Sequence, residues 1–371
     1  MFKKIFFLIF LLIIASTLAF GIDALDLSAK HAVLIECESG DIIFEKNADS
    51  CAPMASTTKV MTALVAIENG QLDKIVTIPE QATGVEGSSI YLHTGEKLSL
   101  HDLLYALLLE SANDAATAIA IEIGGSIEGF AQLMNDKAAS LGLTNTHFTN
   151  PHGLDSSEHY TSAHDLALLC SYAMRNPKFC EIVSSTRMVI PGNENSSRIL
   201  VNHNKLLRSY DGAIGIKTGF TKKSGRCLVS CAERDGVRLI AVTLNAPNDW
   251  NDHKSMLNYG FDKYESVLLA EAGDYTISLN CINGQRDEVL CSNLSTLKIA
   301  LKKGDSSQIS ASFESQRLLF APIKQGDCVG KIVYSIDGRR IAELEICALE
   351  GIKSIKYKKS ILERIFNPWK K

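Results

Sequence analysis

The stretch "PMASTTKVMTALVAIE", Pro53 to Glu68, decides how the chain is read. Val60, Met61, Ala63, Leu64, Val65 and Ala66 recur as on a helix buried on most of its faces, and Pro53 leads into it. Lys59 stands one turn after Ser56, inside this apolar run. An unpartnered buried ammonium is costly, so a lysine here implies a partner or a chemical use. A serine hydroxyl is a weak nucleophile until a base takes its proton, and residues i and i+3 share a helix face. Ser56 and Lys59 therefore fit a nucleophile and its base, provided that Lys59 is neutral. Burial and a second nearby cation both favour the neutral amine.

Two later stretches complete the set. "SAN", Ser111 to Asn113, lies between the helical patterns "LHDLLYALLLE" and "DAATAIAIEIGG", hence in a turn whose side chains can face a cleft. Ser111 is suited to pass a proton from Lys59 to a leaving amine, and Asn113 to bind a substrate amide. The alternative is plain capping of the second helix. "GIKTGF" reads as an inner strand in which Lys217 and Thr218 offer donors to a carboxylate and Gly219 admits a substrate backbone. Lys217 also supplies the second cation. The helix start at Ser56 offers backbone N–H groups to a developing oxyanion. Each motif alone is commonplace; their order and the elements they fall on carry the signal. His152, His159 and His164 read as loop and packing residues, and Tyr160 and Asp165 as supports of "HGLDSSEHYTSAHD".

Around this core, residues 31–46 alternate like a hairpin turned at "ESGD". Helical patterns follow at 100–109, 113–123, 126–141 and 162–174, and strands at 186–190, 198–201, 213–218, 226–233 and 237–244. The simplest layering is a sheet flanked by a largely helical insertion. After residue 266 the texture changes to short strand-like runs, including a hairpin at Asp337-Gly338, so 272–350 reads as a small all-β domain serving as spacer or docking module. The start "MFKKIFFLIFLLIIASTLAFGIDA" carries a basic pair and the apolar run Ile5–Phe20, which reads as an export signal over residues 1–24. The end, "GIKSIKYKKSILERIFNPWKK" (351–371), carries seven basic residues against Glu363. Ile355, Leu362, Phe366 and Trp369 fall on one helical face there, the pattern of a helix lying on an anionic membrane surface.

The net charge of −4 gives no sign of nucleic-acid binding. The ten cysteines show no disulfide framework; Cys227 and Cys231, on one strand, are about 13 Å apart and cannot bridge each other. No metal-ligand spacing or cofactor motif appears.

On these residues the chain resembles the serine D-alanyl-D-alanine carboxypeptidases, the low-molecular-weight penicillin-binding proteins of the bacterial wall. The resemblance runs through "MASTTKVMTA", "SANDAA", "NPHGLDSSEHYTSAHDLA", "NHNKLL", "GAIGIKTGFTKKSG" and "NYGF". It implies an α/β (α+β) transpeptidase-like domain over 25–266, an antiparallel sheet with a helical insertion. It also implies acylation of Ser56 by peptidoglycan stem peptides and by β-lactams, with Lys59 and Ser111 catalytic. Asn113, Lys217, Thr218 and Gly219 then bind substrate, and the amides of Ser56 and Phe220 hold the oxyanion. One departure stands out. An arginine usual before the "LNYGF"-like helix is missing from "NAPNDWNDHKSMLNYGF", so either Lys217 and Thr218 do more or His253 contributes. A β-lactamase-type hydrolase and a non-catalytic, β-lactam-sensing wall-binding protein are the competing functions. The first lacks its "ExxLN" glutamate here, and the second has no need of three intact motifs.

Overall fold

The computed structural model describes residues 25–193, 196–315 and 318–355. The expected export signal, 1–24, and residues 356–371 of the expected tail lie outside them. The expected hairpin forms as β1 (His31–Glu36) and β2 (Ile42–Lys46). Six helices follow: α1 (Lys59–Asn69), α2 (Leu100–Leu109), α3 (Asn113–Gly124), α4 (Ile127–Ser140), α5 (Ala163–Ala173) and α6 (Pro177–Ser184). The chain then returns to the sheet through β3 (Ala213–Thr221), β4 (Gly225–Arg234) and β5 (Val237–Leu244), and closes with α7 (Asp249–Lys263). Two small ribbons, 75–77 with 97–99 and 187–191 with 197–201, edge the helical part.

The five strands are antiparallel in the order β2-β1-β5-β4-β3. Strand alternation divides their side chains between two cores. Val33, Ile35, Ile240 and Val242 face the helical layer, whereas Ala32, Leu34, Leu239 and Ala241 pack with Met256 and Leu257 of α7. The result is a sheet between helices. α1 is the central helix of the larger layer: Lys59 to Ala66 are all buried, so it is covered on every side. Side chains outside the apolar pattern fix the helix starts. Ser99, Ser126 and Ser162 each accept a backbone N–H at the start of α2, α4 and α5. Asn176 caps α6 ahead of Pro177, a start signal that the sequence reading passed over.

One expectation fails. β3, which carries Lys217 to Gly219, is the edge strand of the sheet and not an inner one, because it pairs with β4 alone. Its free edge faces the turn that holds Ser56.

The remaining strands form the second unit. β6 (Tyr264–Ala270) pairs with β9 (Leu297–Lys302). A six-stranded sheet is built from β7 (Ile277–Ile282), β8 (Glu288–Ser292), β10 (Ser310–Ser315), β11 (Leu319–Phe320), β12 (Cys328–Ile336) and β13 (Arg339–Ala348), in the order β10-β12-β13-β8-β7-β11. The β12–β13 turn has both Asp337 and Gly338 at positive φ, as the Asp-Gly pair predicts. Arg339, just past it, pairs with Asp41 in the β1–β2 turn at 3.3 Å and ties the two units together.

The first described residues are fastened by α7. Buried Asp252 accepts from Ser28 N at 3.0 Å, Ser28 Oγ at 2.8 Å and Ala29 N at 2.9 Å. Asp252→Ala should therefore cost about 2 kcal/mol in a urea unfolding series, since one buried donor and two part-buried ones lose their carboxylate acceptor. Covalent labelling of Ser56 should survive below the new transition. A midpoint unchanged from the parent would show that this clamp carries no stability.

Candidate active site

Ser56 sits in a 3₁₀ turn, Ala55–Thr58, that runs directly into α1. Both threonines of "STTK" hold this turn: Thr57 Oγ1 donates to Met54 O at 2.6 Å and Thr58 Oγ1 to Ala55 O at 2.8 Å. His159 Nε2 lies 2.8 Å from the same Thr58 hydroxyl, whose proton is already given to Ala55 O, so the ring must donate there. Its Nδ1 accordingly accepts from Thr149 N at 3.0 Å. Burial holds His159 down at about 4, hence neutral, in keeping with a support role.

Lys59 is wholly buried, and its Nζ has three neighbours: Ser56 Oγ at 3.0 Å, Asn113 Oδ1 at 2.6 Å and His152 O at 2.6 Å. The last two only accept. Asn113 cannot be turned round, because its Nδ2 donates to Glu86 O. A neutral amine has two N–H bonds and one lone pair. The two acceptors use both N–H bonds, which leaves the lone pair for the Ser56 hydroxyl. Desolvation, and then the charge of Lys217, depress the Lys59 pKa well below the ordinary lysine value, while Asp114 opposes them. The three oxygens would also satisfy an ammonium donating to each of them, so it is the electrostatics that favour the neutral amine and hence a base.

Asn113 opens α3, with its own N–H bonded to Ser88 O at 2.7 Å. It thus has one lone pair and one N–H left for a substrate amide, and its first task is to hold Lys59. Neither motif residue caps the helix, since the N-cap is Ala112 without a side-chain bond. Ser111 is buried in the turn at φ +61°. Asp114, which the sequence reading did not single out, accepts from Ser89 Oγ, Ile90 N and Leu92 N and secures the loop beside the cleft.

From the other side comes β3. Lys217 is buried, donates to Thr218 O at 2.9 Å, and is lowered by desolvation to about 7. Gly219 has a role other than the expected one. A Cβ there would stand 3.1 Å from Ser56 N, 3.2 Å from Ala55 Cβ and 3.2 Å from Met54 O. The glycine lets the strand edge lie against the nucleophile's own turn.

Ser56, Ser111, Thr218, Gly219 and Phe220 line one cleft of about 350 Å³, with Lys59, Asn113 and Lys217 buried behind it. Arg226, Asp249 and Trp250 line it too, and the sequence reading missed them. Arg226 lies opposite Phe220 on β4. Its Nε meets buried Asp249 Oδ1 at 3.0 Å, its guanidinium sits 5.8 Å from the Trp250 ring, and its side chain is 42% exposed. His253 is excluded. It is buried between Ser230 Oγ at 2.5 Å and Thr243 Oγ1 at 3.0 Å, and burial keeps it neutral, down at about 3. On α7 it shares the inward stripe with Asp249, Asp252, Met256, Leu257 and Gly260, a period legible in the sequence.

All ten cysteines are free thiols, with Cys227 and Cys231 buried on β4 as the spacing requires.

With this geometry in hand, comparison with known proteins gives consistent matches. The family profile described as D-alanyl-D-alanine carboxypeptidase matches residues 19–248, and that of the penicillin-binding protein 5 C-terminal domain matches 264–354. The D-alanyl-D-alanine carboxypeptidase DacF of Bacillus subtilis is 32% identical over 92% of this chain and 90% of its own length. Among solved structures, penicillin binding protein 5 from Haemophilus influenzae is 30% identical with a TM-score of 0.69, covering 90% of this chain and 100% of that one. The peptidoglycan synthesis regulatory factor (PBP3) from Streptococcus pneumoniae is 26% identical with a TM-score of 0.76, covering 88% and 100%.

The close approach at Gly219 is open to a direct test. Gly219→Ala should slow covalent labelling of Ser56 by a fluorescent penicillin at least about tenfold, because small displacements of reacting groups are costly. A labelling rate within twofold of the parent would mean that the turn and the strand edge need not touch.

Proposed function

The chain belongs to the D-alanyl-D-alanine carboxypeptidase family, and on that premise we propose how its residues remove the terminal D-alanine from peptidoglycan stem peptides. The observation that carries the reading is the set of three partners around Lys59 Nζ. Neutral Lys59 takes the Ser56 proton as Oγ attacks the carbonyl carbon between the two D-alanines. The amides of Ser56 and Phe220 receive the oxyanion. Ser111 relays the proton to the departing D-alanine nitrogen, and the C–N bond breaks to leave an acyl-serine. Water, deprotonated by the same amine, then releases the shortened stem and restores Ser56. β-Lactams enter the same path and stop at the acyl-enzyme.

The leaving residue carries a free carboxylate, and we assign its recognition to Lys217, Thr218 and Arg226. Arg226 stands in for the arginine missing ahead of α7. It comes from the neighbouring strand, and Asp249 and Trp250 hold it over the cleft. A bound carboxylate also favours the charged form of Lys217, whose pKa of about 7 otherwise leaves it only partly protonated near neutrality.

The work is done outside the cytoplasm in this reading, after export through residues 1–24. The catalytic domain, expected over 25–266, ends with α7 at Lys263, and the β domain, expected over 272–350, starts with β6 at Tyr264 and takes in the bridges of Ile352 and Ser354. The basic tail, expected over 351–371, rests on the anionic membrane surface from Lys356 onward. A sensing protein would need the same base for acylation, so release of D-alanine is what separates it from an enzyme.

Release of D-alanine from a pentapeptide ending in D-alanyl-D-alanine tests the assignment. The parent should release it, and Ser56→Ala should neither release it nor take up penicillin while unfolding at the same temperature. Turnover by Ser56→Ala would remove that residue from the role. Arg226→Ala should raise KM for a free C-terminal carboxylate about 10- to 100-fold and leave a C-terminal amide nearly unaffected, the loss expected for one charge-assisted bond. Equal losses on both substrates would mean that Arg226 acts only on the fold.

A further inference from the structure

The β unit has two unlike ends. β13 starts at Arg339, paired with Asp41 of the catalytic unit, and runs ten residues to Ala348, about 30 Å at 3.3 Å per residue. Beyond it the chain crosses the far corner of the unit, where Ile352 pairs with Ile323 and Ser354 with Gly284. Ile355 then donates its N–H to Asn283 O at 2.8 Å. β7 and β11 are parallel neighbours at this corner, with Cys281 opposite Leu319 and Ile282 opposite Phe320. The first pair points inward and is buried. The second points out: Ile282 is 36% and Phe320 59% exposed, and Ile355 beside them is 52% exposed.

Three large apolar side chains thus stand in water at the end of the β unit away from the ion-paired joint. Exposed Lys324 and Lys353 flank them. Of the nearby acids, Glu350 is matched by Arg286, Asp327 accepts from Lys324 N, and exposed Asp287, whose carbonyl accepts from Cys281 N, stands on the neighbouring turn. The next residue in the chain is Lys356, the start of the sequence "KYKKSILERIFNPWKK". Whatever surface that basic, amphipathic segment occupies is brought within a residue or two of this corner.

We propose that Ile282, Phe320 and Ile355 form a second contact with the anionic lipid bilayer, so that the corner dips into the interface and β12 and β13 hold the catalytic unit away from it. The proposal rests on the reading of the tail as membrane-bound. It adds that the folded unit itself meets the lipid, which fixes an orientation that a flexible tether alone does not. Apolar side chains transfer favourably from water to the interface, and the lysines sit over anionic headgroups.

The test uses the mature full chain, with its tail, and vesicles of phosphatidylglycerol and phosphatidylcholine. The double variant Ile282→Ser/Phe320→Ser should sediment with them at least about tenfold more weakly than the parent, with unchanged D-alanine release from a soluble pentapeptide. A Phe320→Trp substitution in a Trp369→Phe background should give a blue-shifted emission on adding vesicles. Equal sedimentation of parent and double variant, or no spectral shift while the protein is vesicle-bound, overturns the corner contact and leaves the tail reading standing. A parent that does not sediment at all overturns both. A concentration-dependent dimer in the parent that the double variant abolishes would assign the corner to a second copy and also overturn the proposal.

Discussion

Everything at the active site depends on one buried nitrogen and the number of hydrogens it can carry. Lys59 Nζ meets two groups that can only accept, Asn113 Oδ1 and His152 O, and one that can donate, Ser56 Oγ. With two N–H bonds and a lone pair, the neutral amine satisfies all three. An ammonium would turn its third hydrogen toward the oxygen it is meant to deprotonate. The surrounding fold secures this arrangement. α1 buries the lysine, α3 begins with Asn113, and the loop from Asn150 to Gly153 presents the carbonyl of His152. That loop lies so close to the nucleophile's turn that a Cβ on Gly153 would fall 1.9 Å from Ala55 O.

The sheet contributes an edge. Because β3 pairs on one side only, its other side is free to meet the Ser56 turn, and Gly219 allows that meeting at backbone distance. In the proposed mechanism the oxyanion donors come from two elements, the Ser56 turn and β3, held together by this contact. β4 supplies Arg226 one strand further in, oriented by Asp249 from the first turn of α7. In the proposed function, helices bury the base and strands present the charge for the substrate's carboxylate.

The motifs were legible because their residues lie close together in the chain. Ser56 and Lys59 share a turn, and Lys217 to Gly219 share a strand, so spacing suggested what they could do, whereas the role of Phe220 came from the resemblance alone. The helical periods and the Asp337-Gly338 turn were legible for the same reason. What spacing could not show is which partners arrive from elsewhere. His152 O lies 93 residues from Lys59 in sequence, and nothing in "NPHGLD" marks a carbonyl as a lysine's acceptor. The edge position of β3 depends on strand order, which no local pattern encodes. Arg226 went unnoticed because the expected arginine was sought ahead of α7, and His253 was considered only because it stood near that place. Helix phase decides against His253: it falls on the inward stripe of α7, where a polar ring is bonded between strands rather than turned to the cleft.

The central claim is the charge state of Lys59, and nuclear magnetic resonance of the protein with isotope-labelled lysine side chains reads it directly. The Lys59 signal can be assigned by its loss in Lys59→Arg. A depressed folded pKa means that the amine is neutral at every pH above that lowered value. Its side-chain carbon and nitrogen shifts should therefore be those of a free amine near neutral pH, with the titration midpoint well below the ordinary value of 10.5. A Lys59 signal that stays that of an ammonium until the pH approaches 10.5 would contradict the account, and the base would have to be sought elsewhere.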